Sequence, residues 1–234
     1  MNPSIFRRLV LGLACLGMIG GAVAETLTFQ DAFDRPAGAA LNAQKVGASQ
    51  AAWEATPNVV LAAGGGIRAI DPGAFVGRLA LPADAVEVTI EADIQPAKPE
   101  TTGAKSPGWI GLGMGNSALG NPNFDGLLVL VYPNGVYSVV FNPEKGDVRS
   151  AKAVMLKSGR ILSWKVDAMN RLKVTHNRTT ESISVFANAD EALFGPFALK
   201  AKSLTLNGAY GGFSGFGQAS EGKTVGGFAA RISK

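Results

Sequence analysis

The sequence predicts an all-β domain, a sandwich of two antiparallel sheets made of about a dozen strands. Three observations predict it. Apolar residues recur with the period of two that belongs to strands rather than the 3.6 of helices. The runs are short and bounded by Gly, Pro, Asn and Asp, with 30 glycines and 12 prolines among 234 residues to supply turns. No stretch of useful length carries a helical apolar stripe.

Residues 1–24 stand apart from that pattern. Arg7 and Arg8 precede an apolar run over 9–19, Gly20 and Gly21 break it, and Ala22-Val23-Ala24 supplies small residues for cleavage, as in a secretory signal peptide. The run falls short of the roughly 20 apolar residues that span a bilayer. A lipoprotein signal ending at Cys15 is the weaker alternative, because Gly12 stands where such signals usually carry leucine. The expectation is an exported chain, periplasmic or extracellular, with residues 25–234 forming one domain.

Cleavage would remove Cys15, the one cysteine, so no disulfide would brace the remainder. A chain of about 200 residues can bury roughly 70% of its surface without covalent help. Of the 22 basic and 18 acidic side chains, Arg7 and Arg8 leave with the leader, and the rest are scattered singly. That near-neutral balance argues against nucleic acid as a partner. The sequence names no protein partner.

Strands are expected at 27–30, 59–62, 74–81 and 86–95. In the last of these Val86, Val88, Ile90, Ala92 and Ile94 face one way and Glu87, Thr89, Glu91, Asp93 and Gln95 the other, with Pro96 ending the run. Further strands are expected at 109–115, 127–132 and 136–142, the last two joined as a hairpin by Pro133-Asn134-Gly135. Others follow at 161–168, 171–176, 182–187, 203–216 and 226–232, with Met169-Asn170 as a tight turn and one helical turn at 190–193. Residues 97–107, rich in Pro, Thr, Gly and Lys, read as a loop.

Ala32-Phe33-Asp34-Arg35-Pro36-Ala37-Gly38, followed later by Trp53, resembles the opening of secreted concanavalin A-like lectin/glucanase (laminin G-like) jelly-roll domains. The polar-faced strand over 86–96, Phe124-Asp125-Gly126 before the strand over 127–132, and the paired strands over 171–188 are similar in order and spacing. The resemblance spans nearly all of residues 26–234. It implies an antiparallel jelly-roll β-sandwich and a bias towards carbohydrate as partner, while fold alone leaves function open.

Glu91-Ala92-Asp93-Ile94-Gln95 is similar to the Glu-x-Asp-x-Glu strand of jelly-roll β-glucanases. Retaining glycosidases use two carboxyl groups about 5 Å apart. The resemblance puts Glu91 at the nucleophile and Asp93 between, but Gln95 at the acid/base. Gln cannot supply general acid catalysis, worth about 10² to 10⁴ in rate. Glu91 and Asp93 are therefore the alternative catalytic pair of a glycan hydrolase or lyase, and a solvated strand face is the simpler reading.

His176 is the lone histidine, expected at an exposed strand end, and Ser214 lacks the Gly-x-Ser-x-Gly spacing of a nucleophile elbow. Asn121, Asn123 and Asp125 before Gly126 look like half a calcium loop, whose twelfth position would be Tyr132 rather than Glu. The resemblance implies that backbone carbonyls or distant carboxylates can complete such a calcium site. Turn chemistry is the simpler reading, and no cofactor is expected. Asn177-Arg178-Thr179 fits a glycosylation triplet, and Trp53 and Trp164 read as core.

Trp109 shares one strand face with Gly111, Gly113 and Gly115, which would leave a shallow groove. Tyr210, Gly212, Ser214 and Phe216 mix rings and small residues in the same way. Trp109, Tyr210 and Phe216 are thus candidates to stack sugar rings, with close backbone packing as the competing use of the glycines. The expected function is a secreted carbohydrate- or ligand-binding module without catalysis. A glycan hydrolase or lyase and a structural domain of the cell envelope are the alternatives.

Overall fold

The computed structural model describes residues 25–71, 73–96, 108–116, 125–142, 152–217 and 224–234. The expected leader over 1–24, the loop expected at 97–107, and Asn121 and Asn123 lie outside the described residues.

Period-two alternation becomes two antiparallel sheets. The first holds β1 (Thr26–Asp31), β3 (Val59–Leu61), β4 (Ile67–Ala69), β6 (Glu87–Ile94), β11 (Asn170–Asn177), β12 (Ser182–Ala187), β13 (Glu191–Ala198) and β15 (Val225–Ser233). Its order is β13-β12-β11-β6-β15-β4-β3, with β1 also paired to β15. The second sheet holds β2 (Glu54–Ala55), β5 (Gly73–Ala80), β7 (Trp109–Gly115), β8 (Gly126–Val131), β9 (Val136–Phe141), β10 (Val154–Arg160) and β14 (Tyr210–Gly217), in the order β10-β9-β8-β7-β14-β5-β2. Among the described residues the helical content is one 3-10 turn, Leu199–Lys202, and no helix is long and apolar enough to cross a membrane.

The core lies between the sheets. Val88, Ile90, Ala92 and Ile94 of β6 are buried there together with Ile110, Leu112 and Met114 of β7. Phe33, Arg35 and Trp53, from the opening segment of the resemblance, meet at the buried Asp31. Its carboxylate accepts from the Trp53 indole Nε1 at 2.7 Å, the Phe33 backbone N at 2.7 Å and Arg35 Nη2 at 2.7 Å. Trp53 in turn packs against Phe33, Phe213 and Phe228 with ring centroids 5.5, 5.4 and 5.1 Å apart.

The Pro133-Asn134-Gly135 turn forms as expected, with Gly135 at φ 77° and Asn134 Oδ1 accepting from Val136 N at 3.1 Å. Two expectations are corrected. Residues 161–168 form turns, and the strand in this region is β10, which ends at Arg160 just before them. The Glu191 carboxylate accepts from the backbone N of Leu162 and Ser163, both at 2.8 Å, and so holds the segment as a turn. The helical turn at 190–193 is instead the start of β13, paired to β12.

Candidate functional site

β14 runs along the middle of the seven-stranded sheet and carries Tyr210, Gly212, Ser214 and Phe216 on the face turned away from the core. Phe216 pairs across to Trp109, Ser214 to Gly111, Gly212 to Gly113 and Tyr210 to Gly115. Phe216 and Trp109 are therefore neighbours, while Tyr210 lies six residues along the strand, about 20 Å away at 3.3 Å per residue.

The strip between the rings is not an open groove. Trp109 is 6% exposed and joins Val76, Leu128, Leu130 and Val140 in a second apolar cluster on this outer face. Gly111, Gly113, Gly212 and Ser214 are buried. A Cβ on Gly111 would stand 1.5 Å from the Val129 carbonyl oxygen, and one on Gly212 would stand 2.1 Å from that of Gly77. These glycines thus serve close backbone approach. Phe216 is 41% exposed at one end and Tyr210 is half-buried at the other. The cavity beside Phe216 and Gly108 measures about 10 Å³, room for about one water.

The Tyr210 end carries the polar chemistry. Arg78 of β5 stands on this face, opposite Gly212 on one side and Glu54 of β2 on the other. Its guanidinium carbon lies 4.9 Å from the Tyr210 ring centroid. The Arg78 side chain is 2% exposed, Glu54 Oε2 is 3.6 Å from its Nε, and neither Nε nor Nη2 has a hydrogen-bond partner among the described residues. Burial lowers the Arg78 pKa, and Glu54, Tyr210 and Asp125 oppose that shift. Nearby, Asn116 N donates to Asp125 Oδ1 at 3.0 Å, and Asn207 N donates to Asn116 Oδ1 at 2.7 Å.

Glu91 and Asp93 lie on the other sheet, away from Trp109, Tyr210 and Phe216. They line an open trough of about 350 Å³ whose floor includes Gly227 and Ala229 of β15. Asp93 accepts from Arg171 Nε at 2.9 Å and Nη2 at 3.1 Å, and Glu91 accepts from Arg231 Nη2 at 3.0 Å. Both carboxylates are thus engaged as acceptors. Gln95 lies beyond the end of β6, its backbone N donating to Thr224 O at 2.9 Å.

His176 is 1% exposed, which corrects the expectation of an exposed strand end. It falls on the inward side of β11, in phase with Leu172 and Val174, and desolvation followed by the Arg178 charge lowers its pKa to about 4. Ser214 is fully buried and donates to Phe75 O at 3.2 Å. The two are buried on opposite sides of the fold's sheets and form no described hydrogen bond to each other. Among the described residues no three His, Cys, Asp or Glu side chains gather as a metal site. Asp125 is the one member of the candidate calcium loop that is described.

Sequence reasoning missed Arg78 and Asp31. A lone charge inside an apolar strand run, as in Phe75-Val76-Gly77-Arg78-Leu79, was the available signal for Arg78.

No protein-family model and no curated protein sequence matches the chain. Solved structures do. The exoplasmic/lumenal domain of VIP36 in its Ca2+/Man-bound form is 15% identical, with a TM-score of 0.54 over 82% of this chain and 87% of that one. The same domain in its Ca2+/Man2-bound form gives a TM-score of 0.51 at 15% identity, covering 82% of this chain and 85% of that one. Its Ca2+-bound form also gives 0.51 at 15% identity, covering 83% and 88%. With its two antiparallel sheets and this likeness over four-fifths of its length, the chain has the concanavalin A-like jelly-roll fold.

Proposed function

We propose that the chain is an exported carbohydrate-binding module without catalytic activity. The observation that carries this reading is the presentation of Tyr210 and Phe216 on the outer face of β14, in a fold whose matched structures include VIP36 bound to Man. Phe216 is 41% exposed across the β14–β7 pairing from Trp109, and Tyr210 offers a ring beside polar donors and acceptors. The leader over 1–24 supplies the route out of the cytoplasm.

The absence of catalysis in this reading is supported by the state of the carboxylates. A glycosidase needs one carboxyl group that gives up a proton to the leaving group. Glu91 and Asp93 both accept guanidinium hydrogen bonds, and Gln95 stands where the acid would be required. The trough they line is sugar-sized but open and charge-paired.

Affinity electrophoresis of the exported chain through gels containing neutral polysaccharides tests the binding. Retardation in at least one gel, with no reducing ends released on incubation, supports the reading. Reducing-end release abolished by Glu91→Gln would replace it with the hydrolase.

A further inference from the structure

Arg78 and Arg171 present the same chemical edge in two different states. In a guanidinium, Nε and Nη2 point their hydrogens in parallel and form a two-pronged donor fork. At Arg171 this fork is filled, with Nε 2.9 Å from Asp93 Oδ1 and Nη2 3.1 Å from Asp93 Oδ2, at the solvent-facing surface. At Arg78 the same two nitrogens are buried and unpartnered. Orphaned donors cost most where they are buried, because no solvent replaces the lost bonds. Arg78 is the one arginine among the described residues whose Nε and Nη2 are both buried and without hydrogen-bond partners. Arg35 and Arg178 lack a partner at Nε but use their terminal nitrogens.

Local geometry keeps the fork in place. Gly212 lies directly opposite Arg78 on β14, where a Cβ would stand 2.7 Å from the Arg78 Cα, so the two strands approach closely at this point. Tyr210 covers one face of the guanidinium at 4.9 Å. The nearest carboxylate oxygen, Glu54 Oε2, is 3.6 Å from Nε, too long for a hydrogen bond. The Glu54 side chain is 42% exposed, so the buried fork lies beside a carboxylate that reaches solvent.

The charges decide what enters. Glu54 and Asp125 already act on the single positive charge of Arg78. An incoming carboxylate or sulfate would add a third negative group to that one cation. A neutral pair of adjacent hydroxyls matches the fork without this penalty: its two oxygens accept from Nε and Nη2, and its hydroxyl hydrogens are free to donate to Glu54. Resting on the reading of the chain as a carbohydrate binder, we infer that Arg78 is the polar anchor of the site, holding a vicinal diol of a neutral glycan beside Tyr210.

The test measures binding of the exported chain to neutral mannans and galactans and to oligogalacturonate, with Arg78→Lys and Glu54→Ala alongside. Lysine keeps the charge and loses the fork. The expected result is neutral-glycan binding by the unaltered chain that falls at least tenfold in Arg78→Lys and at least threefold in Glu54→Ala, with periodate cleavage of the glycan's vicinal diols abolishing it. Neutral-glycan binding unchanged in Arg78→Lys overturns the anchor and leaves carbohydrate binding standing. Tighter binding of oligogalacturonate, lost in Arg78→Lys, overturns the diol in favour of an anion. Should Arg78→Lys fail to fold, Glu54→Ala decides: unchanged or tighter binding overturns the inference. Failure of the unaltered chain to bind any of these glycans removes the underlying reading as well.

Discussion

The guanidinium of Arg78 lies 4.9 Å from the ring centroid of Tyr210, on the outer face of the seven-stranded sheet. The two residues belong to adjacent strands, β5 and β14, and the pairing of Tyr210 with Ala80 and of Gly212 with Arg78 sets their diagonal contact. A cation over an aromatic face is attractive by about 0.5–2 kcal/mol, more when both are desolvated. The contact holds the ring at the edge of the face and keeps the cation beneath it.

That arrangement depends on Gly212. A methyl group there would stand 2.1 Å from the Gly77 carbonyl oxygen, a backbone atom that cannot step aside without opening the β5–β14 pairing. Gly212→Ala is expected to cost about 3 kcal/mol or more, and Gly111→Ala at least as much. Thermal melts followed by circular dichroism check this, and a melt unchanged in either variant would contradict the close approach.

Arg178 ties three segments together. Its Nη1 donates to the carbonyl oxygens of Pro82, Ala83 and Ala85 at 2.8, 3.1 and 3.3 Å, and its Nη2 donates to that of Gly208 at 2.7 Å. Arg178→Ala should lower stability by about 2–4 kcal/mol in urea unfolding. Arg178→Lys, with one ammonium in place of a planar fork, should recover less than half of the loss.

His176 makes the fold acid-sensitive. Its pKa is about 4 in the folded chain against 6.5 when free of burial, so the unfolded chain takes up the proton first. Its contribution is complete above pH 6.5, declines as pH falls, and levels off below about 4, a loss of about 3 kcal/mol in all. Urea unfolding between pH 7.5 and 4 should show this decline. His176→Leu should remove about that much of the pH dependence, whereas an equal slope in both chains would show that carboxylates alone carry it.

The fold was legible because burial imposes period two on strands with one face in the core. β7 and β12 were read with the bounds they have, and β6 within a residue, since Val88, Ile90, Ala92 and Ile94 alternate with charged partners. β10 escaped because it is an edge strand of largely exposed residues, which carries no apolar alternation. The segment at 161–168 misled for the converse reason, its Leu162 and Val166 being apolar yet 87% and 63% exposed. Of the candidate site, Tyr210 and Phe216 were visible as rings among glycines. The burial of Trp109 depends on a second apolar layer contributed by β5, β8 and β9, and the juxtaposition of Arg78 with Tyr210 depends on strand register. Neither is encoded in local spacing.

The central claim is that the chain holds carbohydrate through the rings that β14 presents. Its most direct test is titration of the chain, and of its Tyr210→Ala and Phe216→Ala variants, with whichever neutral glycan retards it most in affinity gels. The account predicts that each truncation weakens binding about three- to tenfold, in line with about 0.5–1.5 kcal/mol per ring contact, while the melts of the variants stay within a few degrees of the unaltered chain. Binding that is the same in all three proteins, or absent from the unaltered chain across the whole set of glycans, would contradict it.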